Sequence, residues 1–336
     1  MADNPLDTVC LAVGSAGDEH ALVTAAQQAP GAVDQLVAAR ARAAGVATAW
    51  SALGRAVLAA AVRLVGPGAG TWFASGSVGR GEALPGADVE TLLIRAGGVD
   101  FDRASAHAVQ VHDVLAACGF RGDDNGVTAA RARFNRTARE WGGSIAGWAG
   151  APEADRGVVM VGLLADAVAV STALREVDLR DEAGVAARAH PQVLAAMLQD
   201  ATYVRAQVPS RLRVFAARDD GVDVKFAIVD PVVRIARWAA LCCGSAAMTT
   251  PQRLADAAGS RYLDADDAAV LARCYEIGSS IRWRVRAYTW RTCDDRVELA
   301  ALAPQDRTAL RSIAAEVSRV RRKLDYLAST SEFSRW

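Results

Sequence analysis

The sequence predicts a mixed α/β (α+β) fold, with a small sheet flanked by helices and a second half that is entirely helical. Three observations support this prediction. Short apolar runs at residues 71–75 and 88–95 have the length and the glycine-rich borders of strands. Residues 19–65 carry apolar side chains at three- and four-residue spacing, which predicts two or three helices divided near Pro30. Alanine- and arginine-rich helical patterns occupy most of the chain after Ser171.

The remaining elements follow from periodicity and from turn residues. Two further helices are predicted in the first half, at residues 101–117 and 135–148. Residues 158–170 are almost all apolar and rich in β-branched side chains, so their first half is interpreted as a buried strand that ends at Asp166. Later helices are predicted at residues 229–243, 264–291 and 304–328.

These elements predict three domains. Residues 1–67 form an N-terminal helical segment, residues 68–187 form the α/β domain, and residues 188–336 form an all-helical domain.

Composition restricts the class of protein. The 336 residues contain 38 basic and 38 acidic side chains, so no overall field attracts nucleic acid or an anionic membrane surface. The six cysteines form no CxxC pair, which indicates buried, reduced thiols in a cytosolic protein. We find no signal peptide and no apolar stretch of about 20 residues. The sequence therefore predicts a cytoplasmic protein with no membrane partner, and nucleic acid is not an expected partner.

One segment has the pattern of a nucleotide site. Residues 73–94 read FASGSVGRGEALPGADVETLLI, with Asp88 and Glu90 two positions apart on a predicted strand. Side chains at this spacing share a face, and carboxylates are the ligands that Mg²⁺ prefers, so the pair predicts a site for two metal ions. In the preceding turn, Gly76 allows close approach of a phosphate, Ser77 offers a hydroxyl and a peptide N–H, and Arg80 offers a charge-assisted contact.

The segment GSVGRGE, followed by ADVE, resembles the signature of the polymerase-beta-like nucleotidyltransferase superfamily. Its arginine and glutamate are similar to those of bacterial nucleotidyltransferases often found behind CBS or cyclic-nucleotide-binding domains, relatives of the uridylyltransferase domain that modifies PII proteins. The segments GVTAA, WGGSIAGW, DVKFAIVDPVVRIARWAAL and TTPQRL extend the resemblance over about residues 22–327. It implies a polymerase-beta-like sheet and a C-terminal helical substrate-binding domain, whereas the sequence shows no segment that resembles the fused sensory domains.

The resemblance also implies an activity. It is the Mg²⁺-dependent transfer of a nucleoside monophosphate, UMP or AMP, from a nucleoside triphosphate such as ATP to an acceptor hydroxyl on a protein or small molecule. By this resemblance Gly76 and Ser77 hold the triphosphate, and Asp88 and Glu90 carry the metals. Asp166 is implied as the third carboxylate, which shares a metal and accepts a proton from the acceptor.

Lys225 matches a family lysine for which phosphate contact is implied. Two positions depart from the family pattern. Glu90 replaces a more usual aspartate, and Val168 stands where an arginine usually follows Asp166. The second departure favours an alternative function, a catalytically inactive nucleotide-binding regulatory protein.

The same residues can instead have purely structural roles. Asp88 and Glu90 can form a solvated strand face, and Asp166 can cap the next helix. Arg80 and Glu82 can pair with each other and brace the turn without contacting a ligand.

Overall fold

The computed structural model describes residues 4–66, 69–123, 126–171, 177–203, 208 and 221–330. The chain divides into two compact units. Unit 1 comprises Met1–Ala146 and Leu163–Ala183, and unit 2 comprises Gly147–Gly162 and Gly184–Trp336. The chain therefore passes between the units three times. The predicted domain boundaries at residues 67/68 and 187/188 stay predictions.

Unit 1 begins with four helices. They are α1 (Pro5–Ser15), α2 (Glu19–Ala26), α3 (Ala29–Ala38) and α4 (Ala43–Val65). The predicted division near Pro30 is confirmed, since Pro30 lies in the first turn of α3, where it needs no hydrogen-bond donor. The sequence prediction omitted α1, although Asn4 accepts a hydrogen bond from the Leu6 N–H and Pro5 begins the helix.

A mixed four-stranded sheet forms the centre of unit 1. Its strands are β1 (Gly70–Ala74), β2 (Thr91–Arg95), β3 (Asn135–Thr137) and β4 (Val168–Ala169), in the order β3-β2-β1-β4. The β1 strand pairs antiparallel with both β2 and β4, whereas β3 runs parallel to β2. Every residue of β1 is buried, so this strand forms the core of the sheet.

Unit 1 also contains helices that flank the sheet. Those that lie largely or wholly in this unit are α5 (Gly76–Arg80), α6 (Phe101–Ala117) and α7 (Ala138–Gly150). The predicted helix at residues 101–117 is confirmed at both ends, with Asp100 as its N-cap. The fully buried Trp141 of α7 donates from Nε1 to the carbonyl oxygen of Leu93 at 2.9 Å and so joins α7 to β2. The predicted mixed α/β (α+β) class is confirmed.

The predicted strand at residues 158–166 is wrong. Gly157–Leu164 forms a helix, α8, and only Val168–Ala169 adds to the sheet as β4. A run that is apolar on every side buries equally well as a strand or as a core helix, so its composition did not decide between them. Asp166 accordingly lies in the turn between α8 and β4, not at the end of a strand. The predicted strand at residues 88–95 begins only at Thr91.

Unit 2 is predominantly helical, as predicted. After α9 (Leu179–Ala189) its helices are α10 (Pro191–Tyr203), α11 (Asp230–Cys243), α12 (Thr250–Ala257), α13 (Ala265–Thr289) and α14 (Pro304–Thr330). The prediction of helix alone needs one correction, because β5 (Gly221–Asp223) pairs antiparallel with β6 (Arg296–Glu298). A π-helical turn, Lys225–Val229, then leads into α11.

All six cysteines are free, as the sequence predicts, but not all are buried. Cys118, Cys242 and Cys274 are buried, whereas Cys243 is exposed. Burial raises the pKa of Cys118 and of Cys274 to about 11, so these groups are protonated thiols at neutral pH.

One helix among the described residues, α4, has the length and apolar character that a membrane span requires. Most of its apolar stretch is buried, including Leu53, Val57 and Leu58, as in the core helix of a globular unit.

Candidate functional site

The sheet register brings the glycine-serine turn beside Glu90. In the β1–β2 pair Ala74 lies opposite Thr91, and the next residues along, Ser75 and Glu90, continue the pairing. The Ser75 N–H donates to the Glu90 carbonyl oxygen at 3.0 Å. Since Gly76 follows Ser75, the end of the ladder places this glycine next to Glu90.

Gly76 and the Glu90 carboxylate are in direct contact. A Cβ atom added to Gly76 would lie 2.2 Å from Glu90 Oε2, so the carboxylate occupies the space that any side chain would need. Gly76 also has φ of +57°, a left-handed conformation that favours glycine. Both requirements explain why glycine occurs at this position.

Asp88 and Glu90 lie on the same side of their segment. Val89 between them is fully buried, and its N–H donates to the Arg121 carbonyl oxygen at 2.9 Å, whereas Asp88 and Glu90 are each partly exposed. This alternation is that of extended chain, in which positions two apart share a face. Asp88 Oδ1, which is itself buried, lies 3.3 Å from Nη2 of the exposed Arg121 side chain.

Arg80 binds two carboxylates in the interior of unit 1. Its Nη1 donates to Asp166 Oδ2 at 2.5 Å and its Nε donates to Glu82 Oε2 at 2.8 Å, with all three side chains largely buried. A Cβ on Gly79 would lie 2.0 Å from the Asp166 carbonyl oxygen, so the Asp166 backbone packs directly against α5. The structure therefore brings Asp166 to Arg80 and gives Arg80 a bracing contact with Glu82.

Ser75 and Ser77 differ in exposure. Ser75 is buried and its Oγ donates to the Leu163 carbonyl oxygen at 2.6 Å. Ser77 is partly exposed, between the buried Gly76 and Val78. Ser77, whose hydroxyl is predicted to contact a phosphate, is therefore the more exposed of the two serines.

His112 lies within hydrogen-bonding distance of two threonines, one of which, Thr91, directly follows Glu90. Its Nε2 lies 2.9 Å from Thr91 Oγ1 and 3.0 Å from Thr128 Oγ1. The Thr91 hydroxyl also accepts from the Ala129 N–H at 3.0 Å, which fixes the following loop against β2. Burial lowers the pKa of His112 below its ordinary value of 6.5, and Asp113 offsets part of this shift, so the ring is neutral at pH 7.

Lys225 belongs to unit 2, whereas the other predicted site residues belong to unit 1. It begins the π-helical turn, and its Nζ lies 5.3 Å from the centre of the Phe226 ring. Phe226 is exposed, so the lysine and the aromatic ring present one accessible surface.

The donor set suits Mg²⁺ only in part. Within the described ranges, no group of three or more His, Cys, Asp and Glu side chains is arranged to hold a metal ion. Mg²⁺ commonly takes one or two carboxylates and completes its shell with substrate phosphates and water, and Asp88 and Glu90 fit that pattern. Asp166 fits it only if Arg80 releases its carboxylate, so its predicted role as third metal ligand stays a prediction.

Comparison with known families agrees with this geometry. Residues 27–155 match the family described as "Putative nucleotidyltransferase DUF294", and residues 191–327 match "Putative nucleotidyltransferase substrate binding domain". The chain belongs to this nucleotidyltransferase family. Its function is thus of the nucleotidyltransferase type, carried by a transferase domain and a substrate-binding domain. No curated protein matches the chain.

The matched regions of this nucleotidyltransferase divide the predicted residues. Gly76, Ser77, Arg80, Asp88 and Glu90 fall within the first region and Lys225 falls within the second. Asp166 lies between the two regions.

Two residues near the site were not predicted: Arg121, which contacts Asp88, and His112, which contacts Thr91 directly after Glu90. Arg121 follows the glycine that ends α6, and neither periodicity nor motif spacing indicates that the chain returns there to Asp88. For His112, the available signal was a histidine within the apolar pattern of α6, next to buried Val111. The sequence alone did not connect that histidine with Thr91.

Proposed function

We propose that this chain transfers a nucleoside monophosphate, UMP or AMP, from a nucleoside triphosphate to an acceptor hydroxyl, with release of pyrophosphate and dependence on Mg²⁺. The acceptor is a hydroxyl of a protein or a small molecule. The observation that carries the proposal is the contact between Gly76 and Glu90, because it joins the predicted phosphate turn to the predicted metal ligands. We further propose that the protein acts in the cytoplasm.

Each residue has a specific task in this proposal. Asp88 and Glu90 hold Mg²⁺ from one face of their segment, and Ser77 donates its hydroxyl to a phosphate oxygen beside Gly76. Mg²⁺ held there would supply charge neutralisation for the phosphates. Arg80 releases the Asp166 carboxylate, which accepts the proton of the acceptor hydroxyl. The acceptor oxygen forms a bond to the α-phosphorus while the bond from that phosphorus to the α–β bridging oxygen breaks, so pyrophosphate leaves. The substrate-binding domain binds the acceptor, and its Lys225 offers a cation.

Substitution of Asp88 tests the proposal. Asp88→Asn removes a metal-binding charge and keeps the shape of the side chain, so we expect Mg²⁺-dependent pyrophosphate release to fall by at least a hundredfold while the melting temperature stays within a few degrees. The matched control is Asp102→Asn, which neutralises an exposed carboxylate in the first turn of α6. Undiminished transfer by Asp88→Asn would contradict the proposal.

A second function is favoured by the Arg80–Asp166 pair. If Arg80 keeps Asp166 from serving as a base, the chain binds nucleotide without transferring it and acts as a regulator. Calorimetric titration with ATP, UTP, GTP and CTP, with and without Mg²⁺, followed by a pyrophosphate assay, separates the two functions. Tight Mg²⁺-dependent binding with no pyrophosphate formed on any acceptor indicates the regulator.

A further inference from the structure

The main chain of Arg121 is fixed beside the carboxylate segment. Its carbonyl oxygen accepts from the Val89 N–H at 2.9 Å, and the next residue, Gly122, forms a bridge with Val89. On its other side Phe120 is buried and stacks on Trp50 with ring centres 5.2 Å apart. Contacts on both sides thus anchor the backbone of Arg121.

The side chain of Arg121 is placed to neutralise Asp88. Its Nη2 lies 3.3 Å from Asp88 Oδ1, the guanidinium side chain is 54% exposed and the Asp88 side chain is 30% exposed. The paired Asp88 oxygen is itself buried, but the contact is long at 3.3 Å and more than half of the guanidinium side chain is in water, which screens its charge, so the ion pair is weak. The contact is therefore one that a stronger partner of Asp88 can displace.

A divalent cation at Asp88 is such a partner. Arg121 and the cation compete for one carboxylate, and the like charges repel each other, so binding of the cation releases the guanidinium. Its planar fork matches the oxygens of a phosphate group, and its fixed backbone keeps it within one side chain's reach of Asp88. A nucleoside triphosphate bound through the cation presents its phosphates there.

We propose that Arg121 is a substrate-binding residue that exchanges partners: it neutralises Asp88 in the ligand-free site and binds the terminal phosphates when the cation and the nucleoside triphosphate arrive. This proposal rests on the proposed function, because it requires a triphosphate at Asp88 and Glu90. It goes further because it assigns a role to a residue outside the glycine-serine motif. That residue weakens binding of the cation alone and strengthens binding of the triphosphate.

The opposite effects provide the test. In Arg121→Gln no guanidinium competes with the cation for Asp88, so we expect Mn²⁺ alone, measured by electron paramagnetic resonance, to bind about three- to tenfold more tightly. The same variant loses a charge-assisted phosphate contact, so we expect Mg²⁺-ATP and Mg²⁺-UTP to bind about tenfold or more weakly by calorimetry. AMP and UMP lack the terminal phosphates and should bind within about twofold of wild type.

Two variants separate the exchange from a change in total charge. Arg103→Gln removes one exposed arginine near the start of α6, about 21 Å along that helix from the end nearer Arg121, and should leave both affinities unchanged. Arg121→Lys keeps the charge and loses the fork. We expect it to bind Mn²⁺ as wild type does and to bind the triphosphate more weakly.

Each outcome decides the proposal. If wild type binds the triphosphate with Mg²⁺ and Arg121→Gln changes neither affinity, or changes both in the same direction, the exchange is overturned and the proposed function stands. If wild type binds no triphosphate in the presence of Mg²⁺, the proposed function is overturned together with the exchange. Tighter Mn²⁺ and weaker triphosphate binding in the same variant support it.

Discussion

At the scale of single residues, position 76 sets the tightest geometric condition in the site. Gly76→Ala places a methyl group 2.2 Å from Glu90 Oε2 and strains a backbone with φ of +57°. We expect the free energy of unfolding to fall by about 1–2 kcal/mol and Mg²⁺-dependent nucleotide binding to be lost, because the Glu90 carboxylate must move. Urea unfolding and calorimetry measure the two effects.

A matched substitution controls for the added methyl group. Gly142 is exposed within α7, and a Cβ there meets nothing within 4 Å. Gly142→Ala should leave binding unchanged and raise stability by about 0.4–1 kcal/mol. Full nucleotide binding by Gly76→Ala would show that the Glu90 carboxylate need not lie where it does.

The sequence predicts the contacts of some site residues but not those of others. Gly76 lies just after β1 and Glu90 just before β2, and a short connection joins these paired strands, so the register that brings the two residues together can be anticipated from one segment. Arg80 could be predicted as a member of the turn, but its partner Asp166 comes from 86 positions further along. Contacts of that kind depend on tertiary packing, which a motif does not encode.

At the scale of elements, a buried ion cluster connects α13 with the turn before β6. Asp295 Oδ2 accepts from Arg282 Nη2 at 2.9 Å and from Arg286 Nη2 at 2.5 Å, and the Asp295 carbonyl oxygen accepts from the Val224 N–H. Burial acts to raise the pKa of Asp295, but the charge of Arg282 and hydrogen bonds from both arginines outweigh it and lower the pKa below its ordinary value of 3.8.

This cluster predicts a pH dependence of stability. Because the pKa is lower in the folded state, the stabilisation is complete above about pH 4 and is lost as the pH falls through the lowered folded value. We expect Asp295→Asn to reduce the free energy of unfolding by about 3–5 kcal/mol at pH 7, and to show a smaller further loss than wild type at pH 3. Urea unfolding at the two pH values gives both numbers.

The neighbouring Asp294 supplies the control. Its side chain is exposed and, among the residues that the structure describes, accepts only a local hydrogen bond from the Arg296 N–H, so Asp294→Asn should follow the wild-type curve. Equal losses in the two variants would mean that the cluster contributes nothing specific.

Helices were more predictable than strands, for physical reasons. The boundaries of α6 follow from its apolar period and from its cap at Asp100, both of which are local signals. The stretch containing α8 carries no polar face, so its period gives no information, and its β-branched residues favoured the wrong element. The β5 and β6 strands have three residues each and lie far apart in sequence, so neither has a recognisable pattern.

At the scale of the whole molecule, the division into units predicts how a shortened chain behaves. The Gly147–Gly162 segment belongs to unit 2, where Gln192 Nε2 donates to the Gly150 carbonyl oxygen at 3.1 Å. A fragment of residues 1–187, cut at the predicted domain boundary, keeps this segment and loses its partners. We expect it to bind the dye ANS and to melt at least several degrees below the full chain.

Co-expression of the fragment with residues 188–336 is the complementary experiment. Co-expression with residues 188–336 should restore the contacts of the segment, suppress the ANS signal and raise the melting temperature. If the fragment alone melts like the full chain without ANS binding, the Gly147–Gly162 segment does not depend on unit 2.

The same division has a consequence for synthesis on the ribosome. Residues 147–162 are made before 184–336, and at about 5–20 residues per second the rest of unit 2 begins to appear about 1–4 seconds later and is complete only after about 9–35 seconds. During that interval Met160 and Val161, which are buried in the finished protein, lack their final surroundings. Nascent chains of this length are therefore expected to depend on chaperone protection more than a protein whose units are consecutive in sequence.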